Sequence, residues 1–323
     1  MLNLFSSKIV FIFNIVLKVK IIRTVLFIFF KNKTKRSILI KMDLYIQKYF
    51  YNYLIYRRGN CRGEDNKLIL HAKKKMGSKK IIWQYWNTGF DKIPDVVELC
   101  YKSVDKYCKD FIIIRLNDKN LKEYIDIPDY IVKKYNEGFI KPAHYSDIIR
   151  LTLLKYYGGV WLDSTIFLSN PIPKKLIDSD VFMFQRSNLA LNKDFWVEFN
   201  PMYFSWGCNH KVNVLNSFIS AKKENPLISE LLSALMDFWY FNNKEPHYFI
   251  FQIACRYFME KYRIDPILDD TIPHLLHTII NDDLDTEKIN AIFEVCFIHK
   301  LGYDCAMEER NNYSYLKKFI LQA

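Results

Sequence analysis

No two of the seven cysteines are spaced as CxxC, and their number is odd. A zinc ribbon and a disulfide framework are both poorly served by such a pattern, which reads instead as reduced thiols. A secretory signal requires a small-residue cleavage site after its apolar run, and none follows the apolar stretches at the start. Nor does the chain contain an uninterrupted apolar run of about 20 residues, the length that spans a bilayer. No internal repeat appears, and no low-complexity tract beyond the bias of the first residues. His274 and His277 are three apart with no third metal ligand in view.

Half of the 323 residues are hydrophobic and 16% are aromatic, which excludes disorder and suffices for one sizeable core. The net charge is +12, which suits an anionic partner: a membrane surface, nucleic acid or a phosphorylated substrate. Lys and Arg are scattered through the chain without a nucleic-acid-binding motif, so nucleic acid is not expected.

Residues 1–45 stand apart. Ile9–Leu17 and Thr24–Phe30 are apolar and aromatic, with Lys18, Lys20 and Arg23 between them and Lys31, Lys33, Lys35 and Arg36 behind. The central cations argue against a spanning helix, and the helical wheel shows no clean apolar face. A basic helical segment lying in the interface of an anionic leaflet is expected, a spanning or packed helix being the alternatives. The positive-inside rule leaves the following domain on the cytosolic side, peripheral on or anchored to the inner membrane.

Residues 46–78 read as a helical connection punctuated by Gly59, Gly63 and Gly77. From 79 to 305 the pattern alternates. Ile81–Trp86 and Phe111–Leu116 are β-prone, while Pro94–Tyr107, Lys119–Ile125, Pro128–Tyr135 and 142–157 carry helical periodicity. Gly158-Gly159 ends the last of these, and Val160–Leu168 then reads as a strand turned polar at Asp163-Ser164-Thr165. Later come strands at Val181–Phe184 and Val214–Ala221, helices at Pro226–Phe241 and Tyr248–Tyr262, and Ile289–Ile298, which is ambiguous. Residues 306–323 are left as a C-terminal tail. Alternation of this kind predicts an α/β fold with ligands beyond the carboxyl ends of the strands.

Two features carry chemistry. Asp147 and Arg150 are three apart on a predicted helix and share a face. They are either a local ion pair or a pair that binds sugar hydroxyls. Asp163 ends an apolar run, where a charge is costly unless paired, bound to a cation or capping the next turn.

Together with Ile82-Trp83-Gln84, Ser146-Asp147-Ile148-Ile149-Arg150, Tyr157-Gly158-Gly159-Val160-Trp161-Leu162-Asp163-Ser164-Thr165 and Ile298-His299-Lys300-Leu301, these residues make the chain resemble a known family. It is the capsular polysaccharide synthesis protein family, related to glycosyltransferase family 32 with its DXD-containing sugar-binding region. The resemblance implies a GT-A-type, Rossmann-like nucleotide-sugar-binding sheet with helices on both faces. It implies a glycosyltransferase that moves a sugar from a nucleotide-sugar donor to a glycan or lipid-linked acceptor, with retention at the anomeric carbon. By the same resemblance, Asp163, Asp147 and Arg150 form the catalytic set. Trp83 stacks on the nucleobase, with Gln84 and Trp161 also in the donor site, and Asp147 and Arg150 hold the donor sugar. Asp163 meets the ribose and the metal-bound diphosphate, which His299 and Lys300 neutralise. A Mn²⁺ or Mg²⁺ ion would sit on Asp163 and Thr165. Thr165 occupies the position of the second carboxylate of Asp-x-Asp, which weakens that metal site. The same loss motivates a second reading, a non-catalytic glycosyltransferase-like subunit of a membrane assembly.

Overall fold

The computed structural model describes residues 32–60, 72–76, 80–265, 267–303 and 311–321. Most of the expected membrane segment, with Cys61, Cys305, Gly63 and Gly77, lies outside those residues. In chain order the elements are α1 (Asn32–Asn60), β1 (Ile81–Tyr85), α2 (Asp95–Tyr107), β2 (Ile112–Leu116), α3 (Asp129–Asn136) and α4 (Pro142–Tyr157). There follow β3 (Gly159–Leu162), β4 (Ile166–Leu168), α5 (Lys174–Ile177), β5 (Val181–Phe182), α6 (Lys193–Phe199) and β6 (Phe218–Ala221). The chain closes with α7 (Pro226–Phe241), α8 (Ile250–Tyr262), α9 (Thr286–Val295), β7 (Ile298–Lys300) and α10 (Asn312–Leu321).

The five-stranded sheet runs β2-β1-β3-β6-β5. β1 is parallel to both β2 and β3, and β6 runs antiparallel to both β3 and β5. The expected α/β architecture is therefore present, with a parallel centre and an antiparallel edge. Because β2 and β3 flank β1 on opposite sides, the strand order reverses at β1. The crevice beyond the carboxyl ends of β1 and β3 is then the natural ligand position.

Side-chain alternation sorts each strand between two cores. Ile81, Trp83 and Tyr85 of β1 and Trp161 of β3 join α1, α4, α7 and α8 on one face. Ile82 of β1 and Val160 and Leu162 of β3 join β4 and β7 on the other. α1 is built into the first core rather than standing off as a connection. Phe50 and Leu54 are buried, and buried Gln47 accepts a 2.6 Å hydrogen bond from the Lys211 amide. Among the described residues no helix is long and apolar enough to cross a membrane. Asn312–Leu321, expected as part of a tail, is a helix whose Tyr313, Leu316 and Ile320 pack with residues of α2 and α9.

The expected strand Val160–Leu168 is two strands in two sheets. At Asp163 the chain turns, with the Ile166 amide donating to the Asp163 carbonyl at 2.9 Å, and β4 leaves to pair antiparallel with β7. The ambiguous stretch before Ile298 resolves into α9 followed by β7. The stretch at Lys119–Ile125 is only a short 3₁₀ turn.

The glycine pair fixes how α4 meets the sheet. Gly158 ends the helix at φ 69°, its amide donating to the Leu154 carbonyl. Gly159 has φ 99°, and a Cβ there would stand 2.6 Å from the Ile81 carbonyl oxygen of β1. Only glycine permits both that backbone conformation and that approach. Gly159→Ala should therefore destabilise the chain by about 2–4 kcal/mol, read as a fall in the urea midpoint with unchanged slope.

Candidate active site

The first half of α4, the turn after β3, the loop before β6 and β7 converge at the strand crevice. α4 starts with Pro142, which is favourable in the first turn, and is buried around most of its middle. Asp147 and Arg150 therefore point into protein rather than water. β3 carries Asp163 to the crevice mouth, where the Asp163 amide donates to the Ser217 carbonyl at 2.9 Å. β4 pairs with β7 so that Ile166 faces Lys300, which returns Lys300 to the Asp163 turn.

The Arg150 guanidinium sits at the centre. It lies 3.4 Å from Asp147 Oδ1 and 3.3 Å from Asp163 Oδ1. It also donates to the Asn216 carbonyl at 2.6 Å, to the Ser146 carbonyl at 3.3 Å and to Ser146 Oγ at 3.1 Å. Its plane covers the Trp161 ring at 5.0 Å. The Asn216 side-chain amide donates to Asp147 Oδ1 at 3.1 Å, and the Trp161 indole N–H to Asp163 Oδ1 at 2.8 Å. Lys300 Nζ stands 3.5 Å from Asp163 Oδ2 and donates to the Thr165 hydroxyl.

These surroundings drive the two carboxyls apart. Burial raises the Asp147 carboxyl above its ordinary value, and the Asp163 charge adds to the rise, against Arg150 and His144. Burial pushes Asp163 upward too. There the charges of Arg150 and Lys300 and the Trp161 hydrogen bond prevail, and its carboxyl is held below the ordinary value.

Asp147, Arg150, Asp163 and Lys300 line one cavity of about 350 Å³, with Tyr248 and Tyr303 at its walls. Its volume falls within the range of small-molecule sites. A wider depression of about 870 Å³ at Asn281–Lys288 is lined by titratable side chains that are all exposed.

Three expected donor contacts are placed elsewhere. Trp83 is fully buried, donates to the Gly158 carbonyl at 2.9 Å and packs its ring on Tyr124 and Tyr157. It has no face left for a nucleobase, and its role is to seat the end of α4. Gln84 is also fully buried and accepts a 3.0 Å hydrogen bond from Arg115. His299 shares a 2.9 Å hydrogen bond with Ser169 and lies between Phe167 and Phe293. Burial lowers its pKa to about 3, so it is neutral and cannot offset a diphosphate. Trp161 is buried beneath Arg150 and serves the site through its indole N–H.

The donor set does not fit the expected Mn²⁺ or Mg²⁺. One Asp163 oxygen faces Arg150 and the other faces Lys300, and the Thr165 hydroxyl is taken by Lys300. A divalent cation there would be repelled by the positive charges of Arg150 and Lys300. Among the described residues no three His, Cys, Asp or Glu side chains converge as a metal site. The Ser164 hydroxyl, between Asp163 and Thr165, turns inward to donate to the Tyr85 carbonyl at 2.9 Å.

Sequence reasoning missed Asn216, whose side chain and carbonyl tie Asp147 to Arg150 from a loop 66 positions beyond Arg150. It also missed Tyr248, which lies in a stretch read only as helix. Neither position carries a local signal.

Comparison with known proteins gives one curated relative, an O-glycosyltransferase from Annulohypoxylon truncatum. It is 23% identical over 182 residues, covering 53% of this chain and 40% of that protein. The chain thus spans less than half the length of the curated relative it matches. Among solved structures, PaToxG glycosyltransferase superposes at a TM-score of 0.35 with 17% identity, over 89% of this chain and 95% of its own. The glycosyltransferase GlyE of Streptococcus pneumoniae TIGR4 gives 0.41 and 11%, over 76% and 60%. The profile of one family matches residues 47–319, most of the chain and all of the cavity. The chain belongs to the capsular polysaccharide synthesis protein family.

Proposed function

We propose that the chain is a glycosyltransferase with a GT-A-type sheet. It transfers a sugar from a nucleotide-sugar donor to a glycan or lipid-linked acceptor during capsular or other surface polysaccharide synthesis. The observation that carries this reading is the Asp147–Arg150–Asp163–Lys300 cluster in a cavity at the strand-order reversal. Carboxylates accept hydrogen bonds from sugar hydroxyls, and Arg150 holds both of them in fixed positions. Cleavage of the sugar–phosphate bond builds negative charge on the leaving diphosphate. Lys300, whose side chain is a quarter exposed, is the cation at the open side of the cluster that would meet this charge, whereas Arg150 is enclosed. The resemblance to glycosyltransferase family 32 supports retention at the anomeric carbon.

A panel of nucleotide sugars should reveal donor turnover or slow hydrolysis. Lys300→Ala should lower that turnover by about a hundredfold, the usual cost of one charge-stabilising donor, and Asp163→Asn by at least as much. No turnover and no donor binding across the panel would count strongly against the proposal.

Because Lys300 occupies the space a metal would need, turnover should persist in excess EDTA. A loss restored by Mn²⁺ would show that the Lys300–Asp163 contact opens to admit a cation.

The two carboxyls should also give opposite pH signatures in urea unfolding. Asp147, raised in the folded chain, contributes stability that is full below the ordinary carboxylate value and is lost as pH rises through its folded value. Asp147→Asn should lack that loss. Asp163, lowered, contributes stability present above the ordinary value and lost as pH falls through its folded value, and Asp163→Asn should lack that acid-side loss. Parallel pH profiles for wild type and both variants would contradict the assigned shifts.

A further inference from the structure

We propose that Leu189, Leu191, Phe195 and Phe199 form a membrane-docking surface for an anionic bilayer, beside the mouth of the cavity. Leu189 and Leu191 are 88% and 81% exposed, the two highest values among the large apolar side chains of the described residues. Phe195 and Phe199 are also exposed and stack one turn apart on α6, ring centres 6.1 Å apart. Four exposed large apolar side chains within eleven residues, two of them stacked, are more than a surface facing only water has reason to keep.

The loop that presents them is fastened rather than slack. The Leu189 amide donates to Ser187 Oγ at 3.0 Å, Lys193 Nζ to the Asn188 carbonyl at 2.7 Å, and the Trp206 indole to the Ser187 carbonyl at 2.7 Å. The leucines are therefore held outward by the fold.

Two observations select a bilayer as the occupant. First, Arg36 donates to the Val197 and Glu198 carbonyls at the end of α6, at 3.2 and 2.9 Å. The start of α1 is thereby pinned beside the patch, and the sequence leading into it carries seven cations and no acid from Lys18 to Arg36. Arg36 beside exposed leucine and phenylalanine, at the end of so cationic a sequence, is the combination that anionic bilayers bind, and the seven cations of that sequence outnumber exposed Asp194 and Glu198 on α6. Second, Phe199 belongs to both the patch and the cavity wall. A bilayer on the patch would present a lipid-borne acceptor directly to the cavity, a consequence that rests on the transferase reading although the test below does not.

The full chain should sediment with vesicles of phosphatidylcholine and phosphatidylglycerol, and much less with phosphatidylcholine alone. The Leu189→Asp/Leu191→Asp variant should lose binding by about tenfold or more while its circular dichroism and melting are unchanged. Hydrogen exchange on vesicles should protect the amides of residues 187–199. Undiminished vesicle binding by the variant would overturn the proposal, as would exchange of 187–199 that vesicles leave unaltered. If light scattering instead shows a dimer that the substitutions dissociate, with vesicle binding intact, the patch joins two copies of the chain and the membrane assignment falls.

Discussion

Arg150 is enclosed by protein, and its charge is matched by two carboxylates that arrive from different elements. Removing either would leave a buried charge under-compensated, which typically costs about 3–5 kcal/mol. The arrangement therefore couples α4, the β3 turn and the loop before β6 into one unit, since Asp147, Asp163 and Asn216 must all be in register for the guanidinium to be satisfied. Ser146 and the Trp161 ring complete its surroundings, so the cation has little freedom. A fixed cation between two carboxylates makes a rigid polar wall, which is what binding a polyhydroxylated substrate in one orientation requires.

The same arrangement explains why the Asp163 turn splits one sequence-level strand into two. Lys300 reaches Asp163 only because β4 leaves the main sheet and pairs with β7. Asp163 thus lies where two sheets part, with Arg150 on one side and Lys300 on the other. That position holds its carboxyl charged, whereas Asp147, more enclosed and sharing the same arginine, titrates higher. Two like groups in one cavity with divided acidities are a recurrent feature of sites that handle charge and protons.

Much of the fold was legible because its signals are local. Pro142 and Gly158-Gly159 mark the ends of α4, and the near-continuous apolar run of Ile81–Tyr85 marks a strand with two buried faces. The candidate site was legible in part. Asp147, Arg150, Asp163 and Lys300 come together as their motifs suggest. Trp83, Gln84 and His299 belong to the same motifs but sit inside the core, where they position α4, Arg115 and the β4–β7 pair. Residues that hold a site and residues that touch a ligand recur together in sequence, and only burial separates them.

By itself the sequence determined most of the central elements, the alternation that makes an α/β sheet, and the presence of a charged residue where an apolar strand ends. Those follow from side-chain period, chain-breaking residues and the cost of an isolated charge, all of which act over a few positions. The tertiary structure alone decided what neutralises that charge. Asn216 and Lys300 stand far from Asp163 in sequence, and their arrival depends on strand pairing that no local pattern encodes. It also decided that two cations, rather than an open ligand position, face Asp163, because the direction in which a side chain is buried is set by packing across the whole fold.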